Sequence, residues 1–108
     1  MGFVKVAVAA DVAAGKSKRV AVGNEAILLA NIDGSYYAIS DKCPHMGGTL
    51  SNGKLEGKIV TCPRHGTKFD VTSGKMVAGG KLAFITLKVK DDKSYPVKLE
   101  GNDILVEM

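Results

Sequence analysis

Two short runs hold both cysteines and both histidines of the chain: Cys43-Pro44-His45-Met46-Gly47-Gly48 and Cys62-Pro63-Arg64-His65-Gly66-Thr67. The first reads C-x-H, the second C-x-x-H, and sixteen residues separate His45 from Cys62. Random placement of four residues over 108 positions would rarely concentrate them so. In each run a proline follows the cysteine and a glycine stands one or two places after the histidine. Those residues shape a tight loop that exposes backbone N–H groups. Two thiolates and two imidazoles make a four-donor site for a soft metal, either a tetrahedral zinc or an iron–sulfur cluster.

The order of the donors separates the two. Mixed zinc sites group like with like, a cysteine pair on one knuckle and a histidine pair on a helix. Here each loop offers one of each, which better suits a two-iron cluster in which each loop gives one ligand to each iron. Both runs closely resemble the ligand loops of the Rieske family, most of all its small soluble ferredoxins. The resemblance extends over nearly the whole chain, including Tyr36-Tyr37-Ala38-Ile39 before the first loop and Phe69-Asp70 to Thr72-Ser73-Gly74 after the second.

That resemblance implies an all-β fold, an antiparallel sheet sandwich with a small cluster-binding subdomain inserted. It implies one [2Fe–2S] cluster per chain, held by Cys43, His45, Cys62 and His65. The histidines would sit on the outer, solvent-facing iron, with their imidazole edges as the electron's route, and the cysteines would hold the inner iron. It further implies a one-electron carrier rather than an enzyme, taking electrons from a reductase, often a flavoprotein, and passing them to a terminal oxygenase or similar redox enzyme. Two other readings stay open: an accessory subunit of a nitrite-reductase-like enzyme, whose small relatives often lack the ligands, and a structural zinc domain that binds another protein.

Around the ligands stand Met46, Gly47, Gly48, Arg64, Gly66, Thr67 and Phe69. Met46 reads as loop packing. Gly47, Gly48 and Gly66 read either as free N–H donors for bridging sulfides or as simple turn geometry. High-potential members of the family carry an extra cysteine in each loop, joined as a bridge; Gly48 and Arg64 occupy those positions here. Such members also aim a serine and a tyrosine hydroxyl at the sulfurs; Thr67 keeps a hydroxyl at the first position and Phe69 lacks one at the second. Fewer hydrogen bonds to sulfur favour the oxidised state, so the potential is expected in the lower half of the Rieske range of about −150 to +300 mV. Many relatives cover the cluster with a proline-bearing loop; Ala78-Gly79-Gly80-Lys81-Leu82 has no proline.

The elements that must carry these loops are strands. No stretch keeps a helical period, and short β-branched and aromatic runs are broken by Gly, Asp and Asn. Strands are expected at Phe3–Ala9, Lys18–Val22, Ala26–Ile32, Tyr36–Ser40, Lys58–Thr61, Lys68–Val71, Ile85–Lys90, Tyr95–Glu100 and Ile104–Glu107. Asp33-Gly34 is the strongest hairpin signal, with further turns at Gly23-Asn24, Asn52-Gly53, Glu56-Gly57 and Gly101-Asn102. Asp70 reads as a turn cap, and Tyr36 and Tyr37 as strand residues facing opposite sides. The 108 residues are expected to form one domain, 1–108, with residues 41–77 as the cluster-binding subdomain.

Composition narrows the function classes. The chain is 45% apolar, enough for a real core, yet small enough to gain from a metal staple. With both cysteines used as ligands no internal disulfide is possible, which fits a reducing cytoplasm. The net charge is +4, from 15 Lys+Arg against 11 Asp+Glu. Lys and Arg do not cluster on a helix or alternate with stacking aromatics, so no nucleic-acid partner is expected. Lys42, Arg64, Lys68 and Lys75 lie near the ligand loops in sequence and suit a partner with an acidic docking surface. Lys5 interrupts the apolar N-terminal run, Val6 stands where a myristoylation motif needs Ser or Thr, and no run is long enough to span a membrane, so no membrane partner is expected.

Overall fold

A computed structural model describes residues 2–42, 49–63, 66–78 and 91–108. Among the described residues the chain forms eleven strands and two single-turn 3₁₀ helices, Ala9–Asp11 and Leu50–Asn52. The strands are β1 (Phe3–Val8), β2 (Ser17–Val22), β3 (Glu25–Ile32), β4 (Ser35–Ser40), β5 (Lys54–Glu56), β6 (Ile59–Thr61), β7 (Lys68–Asp70), β8 (Met76–Ala78), β9 (Ser94–Tyr95), β10 (Val97–Glu100) and β11 (Asp103–Glu107). The all-β reading holds, and no described helix is long and apolar enough to cross a membrane. The strand expected at Ile85–Lys90 lies outside the described residues.

The strands form three antiparallel sheets, ordered β1-β11-β10, β2-β3-β4-β9 and β5-β6-β7-β8. The second sheet is the middle layer, and β3 shows why. Its sequence Glu-Ala-Ile-Leu-Leu-Ala-Asn-Ile is almost continuously apolar, the pattern of a strand covered on both faces. Ile27 and Leu29 point to one face and join Ala7, Ala38, Tyr95, Ile104 and Val106 in one core. Leu28 and Ala30 point to the other and join Ile39, Leu50, Val60, Cys62, Phe69 and Val71 in a second core. Ile27, Leu28 and Leu29 are fully buried, each a contribution of about 1.5–3 kcal/mol.

The hairpins follow their turn residues. Asp33 and Gly34 both take positive φ, 53° and 92°, the type I′ combination that matches the twist of β3 and β4. Gly23, Gly57 and Gly101 each take φ near 60° at the first turn position, linking β2–β3, β5–β6 and β10–β11. Asn31, 5% exposed, donates from Nδ2 to the Val12 carbonyl at 2.9 Å and accepts the Gly34 N–H at 2.8 Å. The Tyr36 hydroxyl donates to the Ala9 carbonyl at 3.0 Å, fastening the 3₁₀ turn after β1 to the middle sheet. Tyr36 and its neighbour Tyr37 are both half-buried.

Sequence boundaries shift by a residue at most for β1 to β4, β6 and β7. The run expected at Tyr95–Glu100 is split by Pro96, which leaves β9 on the middle sheet and β10 on the first. The third sheet gains two strands not read from sequence, β5 and β8, each of three residues.

Candidate metal centre

The middle sheet and the third sheet between them carry the roots of both candidate ligand loops. β4 ends at Ser40, and Asp41 and Lys42 lead toward the first loop. Lys42 pairs with Thr49 in an isolated antiparallel bridge, so the chain leaves and returns side by side. The Asp41 N–H donates to the Ala26 carbonyl at 2.9 Å, and the Leu50 N–H donates to the Asp41 carbonyl at 2.7 Å. The loop itself, with Cys43, His45, Met46, Gly47 and Gly48, lies outside the described residues.

The second loop springs from the β6–β7 hairpin. Ile59, Val60 and Thr61 pair with Asp70, Phe69 and Lys68. Beyond Thr61 the Cys62 N–H donates to the Thr67 carbonyl at 2.7 Å, and the Gly66 N–H donates to the Cys62 carbonyl at 3.0 Å. Gly66 takes φ 74°, a conformation other residues adopt only with strain. Arg64 and His65 lie outside the described residues.

The roots touch. A Cβ added at Gly53, just past the first loop's return, would overlap the Thr61 carbonyl next to Cys62. Leu50, on the same return, is fully buried in the core that contains Cys62. Glycine at 53 is therefore what lets the return of one loop lie against the base of the other.

Of the proposed ligands and the residues around them, four lie among the described ones: Cys62, Gly66, Thr67 and Phe69. Cys62 is 2% exposed and is not in a disulfide. Phe69 and Thr67 are fully buried. Phe69 faces Val60 on β6 and Met76 on β8, so it packs under the loop from the apolar core. These residues fit a cluster. A cysteine is held at the base of a closed loop, within an apolar core, and a second loop with the same donor pair is rooted against it. Donor chemistry adds to this: thiolates and neutral imidazoles are the forms that bind such metals.

The surrounding charges are partly committed. Lys68 Nζ donates to the Thr61 hydroxyl at 3.3 Å, while Lys42 and Lys75 are exposed. Asp70 caps the β7–β8 turn, accepting the Thr72 N–H at 2.8 Å and its hydroxyl at 2.6 Å, with Lys58 Nζ 3.4 Å away. Burial works to raise the Asp70 pKa, but the Thr72 donors and Lys58 outweigh it and hold the carboxyl below the usual range.

Two residues near the loop roots escaped the sequence reading. Asp41 is 2% exposed, accepts two hydrogen bonds from Ser51 and forms an ion pair with Arg19. Asp92 is 6% exposed, and burial, with the Asp41 charge adding to it against the Lys93 N–H, pushes its pKa up to about 7. Neither carries a sequence signal, since partners 10, 22 and 51 residues away make them what they are.

The model of the Rieske [2Fe-2S] domain family matches residues 2–85. The ferredoxin component of biphenyl 2,3-dioxygenase from Rhodococcus jostii (strain RHA1) is 37% identical over 108 residues, covering 100% of this chain and 94% of the relative. Among solved structures, the ferredoxin of carbazole 1,9a-dioxygenase from Nocardioides aromaticivorans IC177 superposes with a TM-score of 0.84 at 27% identity, covering 98% of this chain and 97% of the other. A chain in the complex of reduced oxygenase and oxidized ferredoxin in carbazole 1,9a-dioxygenase superposes with a TM-score of 0.82 at 27% identity, covering 96% of this chain and 91% of the other.

Proposed function

Because the chain belongs to the Rieske [2Fe–2S] domain family, we propose that it is a one-electron carrier, the ferredoxin component of an oxygenase system. It accepts electrons from a reductase, a flavoprotein in this reading, and delivers them to a terminal oxygenase in the cytoplasm. The observation that carries this is the likeness over the whole chain to a dioxygenase ferredoxin component. The oxygenase–ferredoxin complex among its structural neighbours supports the choice of partner.

In this proposal Cys43 and Cys62 hold one iron as thiolates, and His45 and His65 hold the other as neutral imidazoles. When bound, a cluster with two imidazoles in place of two thiolates supplies a one-electron site at about −150 to +300 mV, against about −400 mV for plant-type ferredoxins. The chain's own residues then have three tasks. The Cys62–Thr67 and Gly66–Cys62 hydrogen bonds fix the second loop. Phe69, Leu50 and Val60 keep water from the Cys62 side. Exposed Lys42 and Lys75 offer positive charge to a partner with an acidic docking surface.

The test is to reduce the purified protein and mix it anaerobically with the terminal oxygenase of a biphenyl dioxygenase system. Reoxidation accelerated by the oxygenase, and slowed by salt as charge-steered docking requires, is the expected result. Reoxidation at the rate seen without the oxygenase would overturn the carrier reading.

A further inference from the structure

The carboxylate of Asp41 is buried at the point where the first ligand loop leaves the middle sheet. Burying a carboxyl group is costly unless its oxygens are bonded, and both oxygens of Asp41 are. Oδ1 accepts the Ser51 N–H at 2.7 Å; Oδ2 accepts the Ser51 hydroxyl at 3.0 Å and forms an ion pair with Arg19, whose Nε lies 3.1 Å away. These contacts reach three elements: β2 through Arg19, the departing chain through Asp41 itself, and the returning 3₁₀ turn through Ser51. The backbone already closes the loop through the Lys42–Thr49 bridge and the Leu50 N–H to Asp41 carbonyl bond. The side chain closes it a second time, one residue further along the return, with charge-assisted bonds that are stronger than neutral ones.

We propose that Asp41 is the positioning residue of the first ligand loop, clamping its two ends together and to β2 through Arg19. The inference rests on the reading of Cys43 and His45 as ligands, because Asp41 acts on the cluster only through them. The core beneath the loop does not depend on Asp41: Leu28, Ile39, Leu50 and Phe69 pack without it. Loss of the carboxylate therefore leaves the fold and loosens the loop's base. Asn31 supplies the contrast. It too is buried and bonded at both ends of its amide, but at the β3–β4 hairpin tip, away from the loop roots.

The experiment compares holoprotein of wild type, Asp41→Ala, Asp41→Asn, Ser51→Ala and Asn31→Ala. The readouts are melting temperature, the rate at which visible absorbance is lost to an iron chelator, and the EPR signal of the reduced protein. Asp41→Ala and Asn31→Ala should both lower the melting temperature. Of these two, only Asp41→Ala should speed cluster loss, by about tenfold, the scale of a lost hydrogen bond to a charged group, and shift or broaden the EPR signal. Asp41→Asn keeps an acceptor for the Ser51 N–H and should fall between. Cluster loss from Asp41→Ala at the Asn31→Ala rate, with a wild-type EPR signal, would overturn the clamp. If Asp41→Ala does not fold, Asp41→Asn and Ser51→Ala decide: wild-type release rates in both overturn it. Cys43→Ala separates the two levels. If that variant keeps its full iron and acid-labile sulfide, the ligand reading has failed. If it loses them while Asp41→Ala behaves as Asn31→Ala does, only the clamp has failed.

Discussion

The Cys62 N–H and the Thr67 carbonyl meet at 2.7 Å, which closes the second candidate ligand loop on its own base. The loop can return within so few residues because Gly66 turns it at φ 74°. Gly66→Ala puts a Cβ in the left-handed region at a cost of about 1–2 kcal/mol. A melting temperature lowered by several degrees and a reduced iron content per chain are expected. Wild-type values of both would mean that the turn is not what holds the loop.

Gly53 is a different case. Its backbone is in an ordinary extended conformation, φ −87°, so the cost of a side chain there is steric alone. A Cβ would overlap the Thr61 carbonyl, which is backbone and cannot swing away. Gly53→Ala should destabilise the protein by about 2–3 kcal/mol, the upper part of the range for overpacking, measured by chemical denaturation. Gly23→Ala, where nothing lies within 4 Å, gives the cost of a positive φ without a clash.

Asp92 gives a pH dependence with a defined sign. Its carboxyl sits at about 7 rather than the ordinary 3.8, first because of burial and then because of the Asp41 charge. Among the described residues its Oδ2 is buried with no hydrogen-bond partner. Between those two values the folded chain holds a proton that the unfolded chain has released. Stability contributed by the neutral acid is therefore whole below about pH 4, declines as the pH rises, and is gone above about pH 7. Asp92→Asn, which mimics the neutral acid, should melt higher than wild type at pH 8, with the gap narrowing toward pH 5.5. A gap that does not change with pH would contradict this.

Phe69 tests how the potential is set. It is fully buried in the core shared with Cys62, and it carries no hydroxyl. The unmodified protein should titrate in the lower half of the Rieske range; a midpoint clearly above about +150 mV would contradict that. Phe69→Tyr is expected to raise the midpoint by bringing a donor to sulfur. A lower melting temperature with an unchanged midpoint would show a hydroxyl buried without that partner.

Much of this architecture is legible in the residues themselves. The apolar run at Ala26–Ile32 announces a strand, and Asp33-Gly34 announces its hairpin. Asp70 reads as a turn cap and is one. What escaped depends on distant partners or on very short elements. Lys54-Leu55-Glu56 has one apolar residue and shows no period, so β5 is defined only by its pairing with β6. Asp41 looks like any polar residue after a strand until Ser51 and Arg19 arrive from elsewhere in the chain. The four proposed ligands were legible because their chemistry is local: each cysteine has its histidine two or three residues away.

The most direct test of the central claim is the EPR spectrum of the anaerobically purified, reduced protein, taken with its iron and acid-labile sulfide content. Two irons and two sulfides per chain, with the low average g of histidine-ligated iron, are predicted. A colourless protein without iron and sulfide, or the higher average g of an all-cysteine cluster, would contradict it.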